Sequence, residues 1–206
     1  MNYNLKEVKI SGIRKFYNEV QKIDGAISLT LGQPDFQLPI SVRNGLINAI
    51  NNNQTTYTSN AGIEELRNEI SNYLKKININ FHKDEICITV GGSEALFSIF
   101  TALINKEDKV LIPTPSYPAY ESIIKILGGD VINYSLKSDF RINISEIEMI
   151  IKSNNIKYLV LSLPSNPTGA ILSKDERDEL IRIIYENDIL VITDEIYESL
   201  CYEEYY

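Results

Sequence analysis

Tyr158-Leu159-Val160-Leu161-Ser162-Leu163-Pro164-Ser165-Asn166-Pro167-Thr168-Gly169 carries an apolar run of strand length straight into a turn braced by two prolines and a glycine. Apolar residues at consecutive positions are what a strand covered on both faces requires. Residues 86–90, 109–113, 131–134 and 189–193 have the same character, each rich in Ile, Val or Leu. Between them apolar residues recur at helical spacing, as in Ala95, Leu96, Ile99, Phe100 and Leu103, and again in Ile144, Ile147, Ile150 and Ile151. Ser173, followed three residues on by Glu176, forms a capping box that opens a helix running to about residue 186. Strands alternating with helices are the signature of stacked βαβ units. The predicted fold class is therefore α/β, three layers deep (α/β/α), around a mostly parallel sheet.

Before residue 84 the pattern changes. A polar N-terminal arm leads to a loop around residues 32–39, a helix near residues 42–50, and an amphipathic helix over residues 64–76 with Leu66, Ile70, Tyr73 and Leu74 as its apolar stripe. Residues 1–45 are expected to form an arm and part of a small lobe, and residues 46–206 most of a larger domain. Apolar content of 44% in 206 residues suffices for a packed core. Twenty basic against 28 acidic side chains give a net charge of -8, which repels nucleic acid and anionic membrane surfaces. The start has no apolar signal core, and no apolar run is long enough to cross a bilayer, so a cytoplasmic protein is expected. Cys87 and Cys201 lack metal-ligand spacing and read as reduced, inert thiols. His82, the lone histidine, reads as a surface residue at a charged turn.

Four motifs fall at strand ends. Gly91-Gly92-Ser93-Glu94 follows a predicted strand and opens a helix, where backbone N–H groups and the positive helix end can hold a phosphate. Tyr117, in the proline-braced loop Pro115-Ser116-Tyr117-Pro118, offers an aromatic face on which a flat ligand could stack, unless it simply packs in the core. Asn166 sits between two prolines at a sharp turn. Asp194, with Tyr197 close behind, ends a buried apolar strand, where a carboxylate must be solvated, paired or bound. Each alone has a plain structural reading as a turn, cap or core residue. Jointly they offer a dianion site, a ring platform, a carboxamide and an acid, a set that suits a phosphorylated aromatic heterocycle.

With Leu31-Gly32-Gln33-Pro34-Asp35-Phe36 and Tyr57-Thr58-Ser59-Asn60-Ala61-Gly62 upstream, these ordered motifs resemble the fold type I pyridoxal-phosphate enzymes, specifically the class I and II aminotransferases similar to aspartate aminotransferase. The resemblance runs from about residue 10 to the last residue. It implies the large domain of that fold and pyridoxal 5'-phosphate as cofactor. It also implies amino-group transfer between an amino acid and a 2-oxo acid. Asp194 would pair with the pyridine nitrogen and keep it protonated; Tyr197 and Asn166 would hydrogen-bond the ring's phenolic oxygen, Asn166 also approaching the substrate carboxylate. Tyr117 would stack on the ring, and the amides of Gly92, Ser93 and Glu94 would bind phosphate. Gly32 would sit against the substrate, and Tyr57 would reach the phosphate of the neighbouring subunit of a homodimer.

The sequence departs from the family at one decisive point. The lysine that forms the Schiff base follows the aspartate by several tens of residues in such enzymes, and none of residues 195–206 is a lysine. No catalytic residue is therefore nominated. The expectation is an N-terminal part of a longer enzyme, incomplete in its last strands and C-terminal domain, and inactive alone. A further expectation is that the phosphate turn is parted from the other pocket walls by about 10–15 Å, since the strand over residues 86–90 would lack its neighbours. A β-lyase or cyclising lyase on the same scaffold, or a noncatalytic cofactor-binding remnant, are the alternative functions.

Overall fold

The structure, a computed structural model, describes residues 3–8, 12–32 and 36–202. They fall into two units, one within residues 12–91 and one combining residues of 1–11 with those of 92–206.

The first unit holds α1 (Gly12–Val20), α2 (Ile40–Asn51) and α3 (Glu64–Lys76). Glu64 and Glu65 in the first turn of α3, and Lys75 and Lys76 in its last, complement the helix dipole. Its buried positions are Arg67 and Ser71, while Leu66 and Tyr73 of the expected apolar stripe are exposed. Polar partners explain the difference. Arg67 Nη1 donates to the carbonyl of Lys83 at 2.9 Å, and Ser71 Oγ donates to that of Phe81 at 2.6 Å, so this face grips a loop backbone instead of a core. His82 is exposed, as expected, and its Nδ1 accepts from the amide of Asp84 at the start of a short 3-10 turn, Lys83–Glu85. Residues 86–90 form no strand, contrary to the sequence reading. The amide of Ile88 bonds the carbonyl of Ala61, but among the described residues no ladder forms that would make a strand.

In the second unit, α4 (Gly91–Leu103) precedes the alternation of β1 (Lys109–Thr114), α5 (Pro118–Leu127), β2 (Asp130–Ser135), α6 (Ile144–Ser153), β3 (Ile156–Ser162), α7 (Lys174–Glu186) and β4 (Leu190–Asp194). The sheet order is β2-β1-β3-β4, and every pairing is parallel. Four of the five expected strands are thus present, within two residues of their predicted bounds. Local signals set the helices. Pro118 opens α5 with its φ already fixed, and Gly128 closes it at φ 83°, a left-handed cap that a side chain would strain. Ser173 and Glu176 form the expected capping box on α7.

Consecutive residues of the strands enter opposite cores. Val110, Ile112, Tyr158, Val160 and Ile192 pack with Leu96 and Phe100 of α4 and Ile123 and Ile124 of α5. Leu111, Leu159 and Leu161 pack on the other face with Ile144, Ile147 and Ile151 of α6 and Leu180 and Ile183 of α7. This is the three-layer α/β/α arrangement. A 3-10 turn, Tyr3–Glu7, lies on α5, with Asn4 Nδ2 donating to the carbonyl of Ile126 at 3.2 Å. Phe100 is fully buried under the sheet, whereas Phe97, one turn away, is 47% exposed. Phe100→Ala is expected to cost about 3–5 kcal/mol and Phe97→Ala well under half of that, read from urea denaturation midpoints.

Candidate functional site

The chain leaves β1 for β2 on one side, then returns to place β3 on the other, so the sheet has a switch point between β1 and β3. Ligands of open α/β sheets collect at the carboxyl ends of the strands beside such a point. Tyr117 follows β1, Asn166 follows β3, and Asp194 ends β4. Parallel pairing places Ser162 directly opposite Asp194, and the amide of Leu163 donates to the Asp194 carbonyl at 3.1 Å.

The side chains form a continuous path. Ser93 Oγ lies 3.3 Å from the Tyr117 hydroxyl, and the Tyr117 ring meets the Tyr120 ring edge to face with centroids 5.6 Å apart. The Tyr120 hydroxyl donates to Asp194 Oδ2 at 2.6 Å, while Asp194 Oδ1 accepts from the amide of Ile196 at 3.2 Å. Both carboxylate oxygens are therefore oriented by the protein. Ser162 Oγ accepts a long bond, 3.5 Å, from the amide of Asn166. The turn that carries Asn166 is closed by Gly169 N to Ser165 O at 2.7 Å and Ser165 N to Ala170 O at 2.9 Å. Gly169 supplies the φ of 72° that this closure needs.

Ser93, Tyr117, Asn166 and Asp194 are thus brought to one edge. The expected separation of the phosphate turn does not occur: Ser93 reaches the Tyr117 hydroxyl directly, because α4 packs on the sheet through Leu96 and Phe100 whatever residues 86–90 do. Gly92, Ser93 and Glu94 are exposed in the first turn of α4, the part of a helix whose amides point outward along the axis. Asn166, Tyr117 and Asp194 are half-buried. Tyr197 is exposed, and among the described residues no hydrogen bond joins it to Asn166. Gly32 and Tyr57 are exposed in the other unit, and Gln33, Pro34 and Asp35 lie outside the described residues.

Residues 24–206 match the sequence profile of aminotransferase class I and II. The chain belongs to this family. It is 40% identical over 206 residues to a Bacillus subtilis protein named "Probable N-acetyl-LL-diaminopimelate aminotransferase", a match covering 98% of this chain and 52% of the relative. With an aspartate aminotransferase of Pyrococcus abyssi it shares 33% identity over 210 residues, 99% of this chain and 53% of the relative. The solved structure of an aspartate aminotransferase from Thermus thermophilus with maleate superposes with a TM-score of 0.93 at 29% identity, covering all of this chain and 56% of that one. The chain spans about half the length of these relatives.

Sequence reading missed two residues at this edge of the sheet, Tyr120 and Ser162. Tyr120 shares the helical stripe of Ile123 and Ile124 and reads as core, yet a buried tyrosine hydroxyl needs a partner, and that was the available signal. Among the described residues no group of His, Cys, Asp or Glu could hold a metal ion.

Burial pushes the Tyr120 hydroxyl well above the ordinary tyrosine range, and the adjacent Asp194 carboxylate adds to this; Ser162 opposes it by hydrogen bonding. Burial alone does the same to Tyr134, on β2. In the unfolded chain both ionise from about pH 10, whereas folded they keep their protons. The folded state then binds more protons, so stability is full below about pH 10 and falls above it, by up to about 1.4 kcal/mol per pH unit for each tyrosine. Urea midpoints taken from about pH 9 to about pH 11.5 should show this decline, and Tyr134→Phe should flatten it.

Proposed function

We propose that the gene product transfers an amino group between an amino acid and a 2-oxo acid, using pyridoxal 5'-phosphate. The observation that carries this reading is the unbroken path Ser93, Tyr117, Tyr120, Asp194 at the carboxyl edge of the sheet. An anion site at a helix start, an aromatic face and an oriented carboxylate fit the phosphate, the ring and the ring nitrogen of that cofactor. When bound, pyridoxal phosphate supplies an electron sink for the electron pair left as the substrate's α-proton departs. Asp194 holds a proton at the ring nitrogen, since a carboxylate beside it favours the charged form. The amides of Gly92, Ser93 and Glu94 hold the phosphate with the positive end of α4. Tyr117 supports the ring face. Asn166 and Tyr197 hydrogen-bond the ring's phenolic oxygen, and Asn166 with Gly32 lines the substrate's place. Tyr57 serves the phosphate of a second subunit in a homodimer.

On this reading residues 46–206 supply most of the cofactor-binding domain and residues 1–45 an arm with part of a small lobe. Residues 195–206 include no lysine, and we assign no amine of this chain to the Schiff base or the proton shift.

The test is product analysis with the gene product, pyridoxal phosphate and a panel of amino acids. Formation of the 2-oxo acid together with pyridoxamine phosphate is expected; release of ammonia or a thiol overturns amino transfer in favour of a lyase. Asp194→Ala is expected to lower turnover by about 10²–10³-fold, measured under saturating cofactor.

A further inference from the structure

The Tyr120 hydroxyl takes no part in the proposed chemistry, yet it is fully buried and makes the shortest contact to the site's acid, 2.6 Å to Asp194 Oδ2. We infer that Tyr120 is a positioning residue: its buried hydroxyl, bonded to the end of β4, fixes the rotation of the Asp194 carboxylate so that the acid meets a protonated ring nitrogen.

The carboxylate is held from two directions. Tyr120 takes Oδ2 from the α5 layer, and the amide of Ile196 takes Oδ1 from the chain just past β4. The amide bond is a local turn, which orients one oxygen but leaves the carboxylate plane free to swing about it. The tyrosine bond comes from a different layer of the fold, from a partner 74 positions away in sequence, and stops that swing. Tyr120 itself is fully buried. Its ring is packed edge to face against Tyr117, it sits in the core formed by Ile123, Ile124, Val160 and Ile192, and its hydroxyl bonds Asp194, which stands opposite Ser162 in the β3–β4 register. Asp194 and Tyr117 are the titratable groups that act on it, and its raised pKa keeps it a donor across the working range. Because Tyr117 and Tyr120 lie one helical turn apart at the start of α5, one rigid element would carry both the platform for the ring face and the brace for the ring's acid.

This rests on the proposed cofactor site, and the experiment separates the two. The gene product is saturated with pyridoxal phosphate labelled with ¹⁵N in the ring, and the protonation midpoint of that nitrogen is followed by NMR in wild type, Asp194→Asn, Tyr120→Phe and the double variant. Wild type is expected to hold the midpoint above that of the free cofactor, and Asp194→Asn to bring it down. Tyr120→Phe keeps the ring and its packing, which far-ultraviolet circular dichroism checks. It is expected to lower the midpoint by about one pH unit, a tenfold change in the protonation equilibrium. In the Asp194→Asn background it should add nothing, because it acts through that carboxylate.

If Asp194→Asn lowers the midpoint and Tyr120→Phe leaves it unchanged or raises it, the positioning role is overturned; a rise would mean that the hydroxyl merely withdraws charge from the carboxylate. An equal further fall in the double variant overturns it too, since the effect would then be general to the core. No elevation in wild type and no response to Asp194→Asn overturns the cofactor site itself.

Discussion

Parallel pairing of every strand is the constraint on which the site depends. When β1, β3 and β4 run the same way, their last residues, Asp194 among them, emerge at one edge, and the loops beyond β1 and β3 place Tyr117 and Asn166 there too. The switch of direction between β1 and β3 leaves room at that edge. Helices on both faces supply the apolar cover that parallel strands need, and one of them, α4, brings Ser93 to the same place. A slip of the β3–β4 register by one residue would turn Asp194 away from Tyr120 and send Ile192 out of its core, so packing and site geometry specify the same alignment.

The parts of the fold legible in the sequence were those set by local signals or by continuous apolar runs. The capping box at Ser173, Pro118 at the head of α5 and the strands 109–114 and 156–162 belong to that class. An apolar run, however, states only that a segment should be buried; it does not state what will bury it. Residues 86–90 have the composition of a strand and form none, because strand structure requires a partner to complete the ladder. The stripe Leu66, Ile70, Tyr73 and Leu74 on α3 misled for the same reason, since Arg67 and Ser71 on the adjoining face found backbone carbonyls to hold.

Among the residues gathered at that edge, Ser93, Tyr117, Asn166 and Asp194 were legible as candidates because each stands at a junction between a regular element and a loop, a position that composition and turn chemistry mark. Tyr120 and Ser162 stand inside regular elements and carry no such mark. Their role is a matter of three-dimensional register: a helix starting at Pro118 happens to aim its first buried hydroxyl at the end of a strand whose acid is 74 residues further on. Only the family resemblance, which rests on motifs spread along the whole chain, linked the strand-end residues to one cofactor.

The short helical turn at Tyr3–Glu7 bears on how the molecule is handled. Asn4 ties that turn to the carbonyl of Ile126 in the last turn of α5, the helix whose opposite end holds Tyr117 and Tyr120. Residues 3–7 are therefore a buttress for the platform helix. An affinity tag fused directly ahead of them would load that buttress, so purification handles are better moved away from this end or separated by a cleavable spacer.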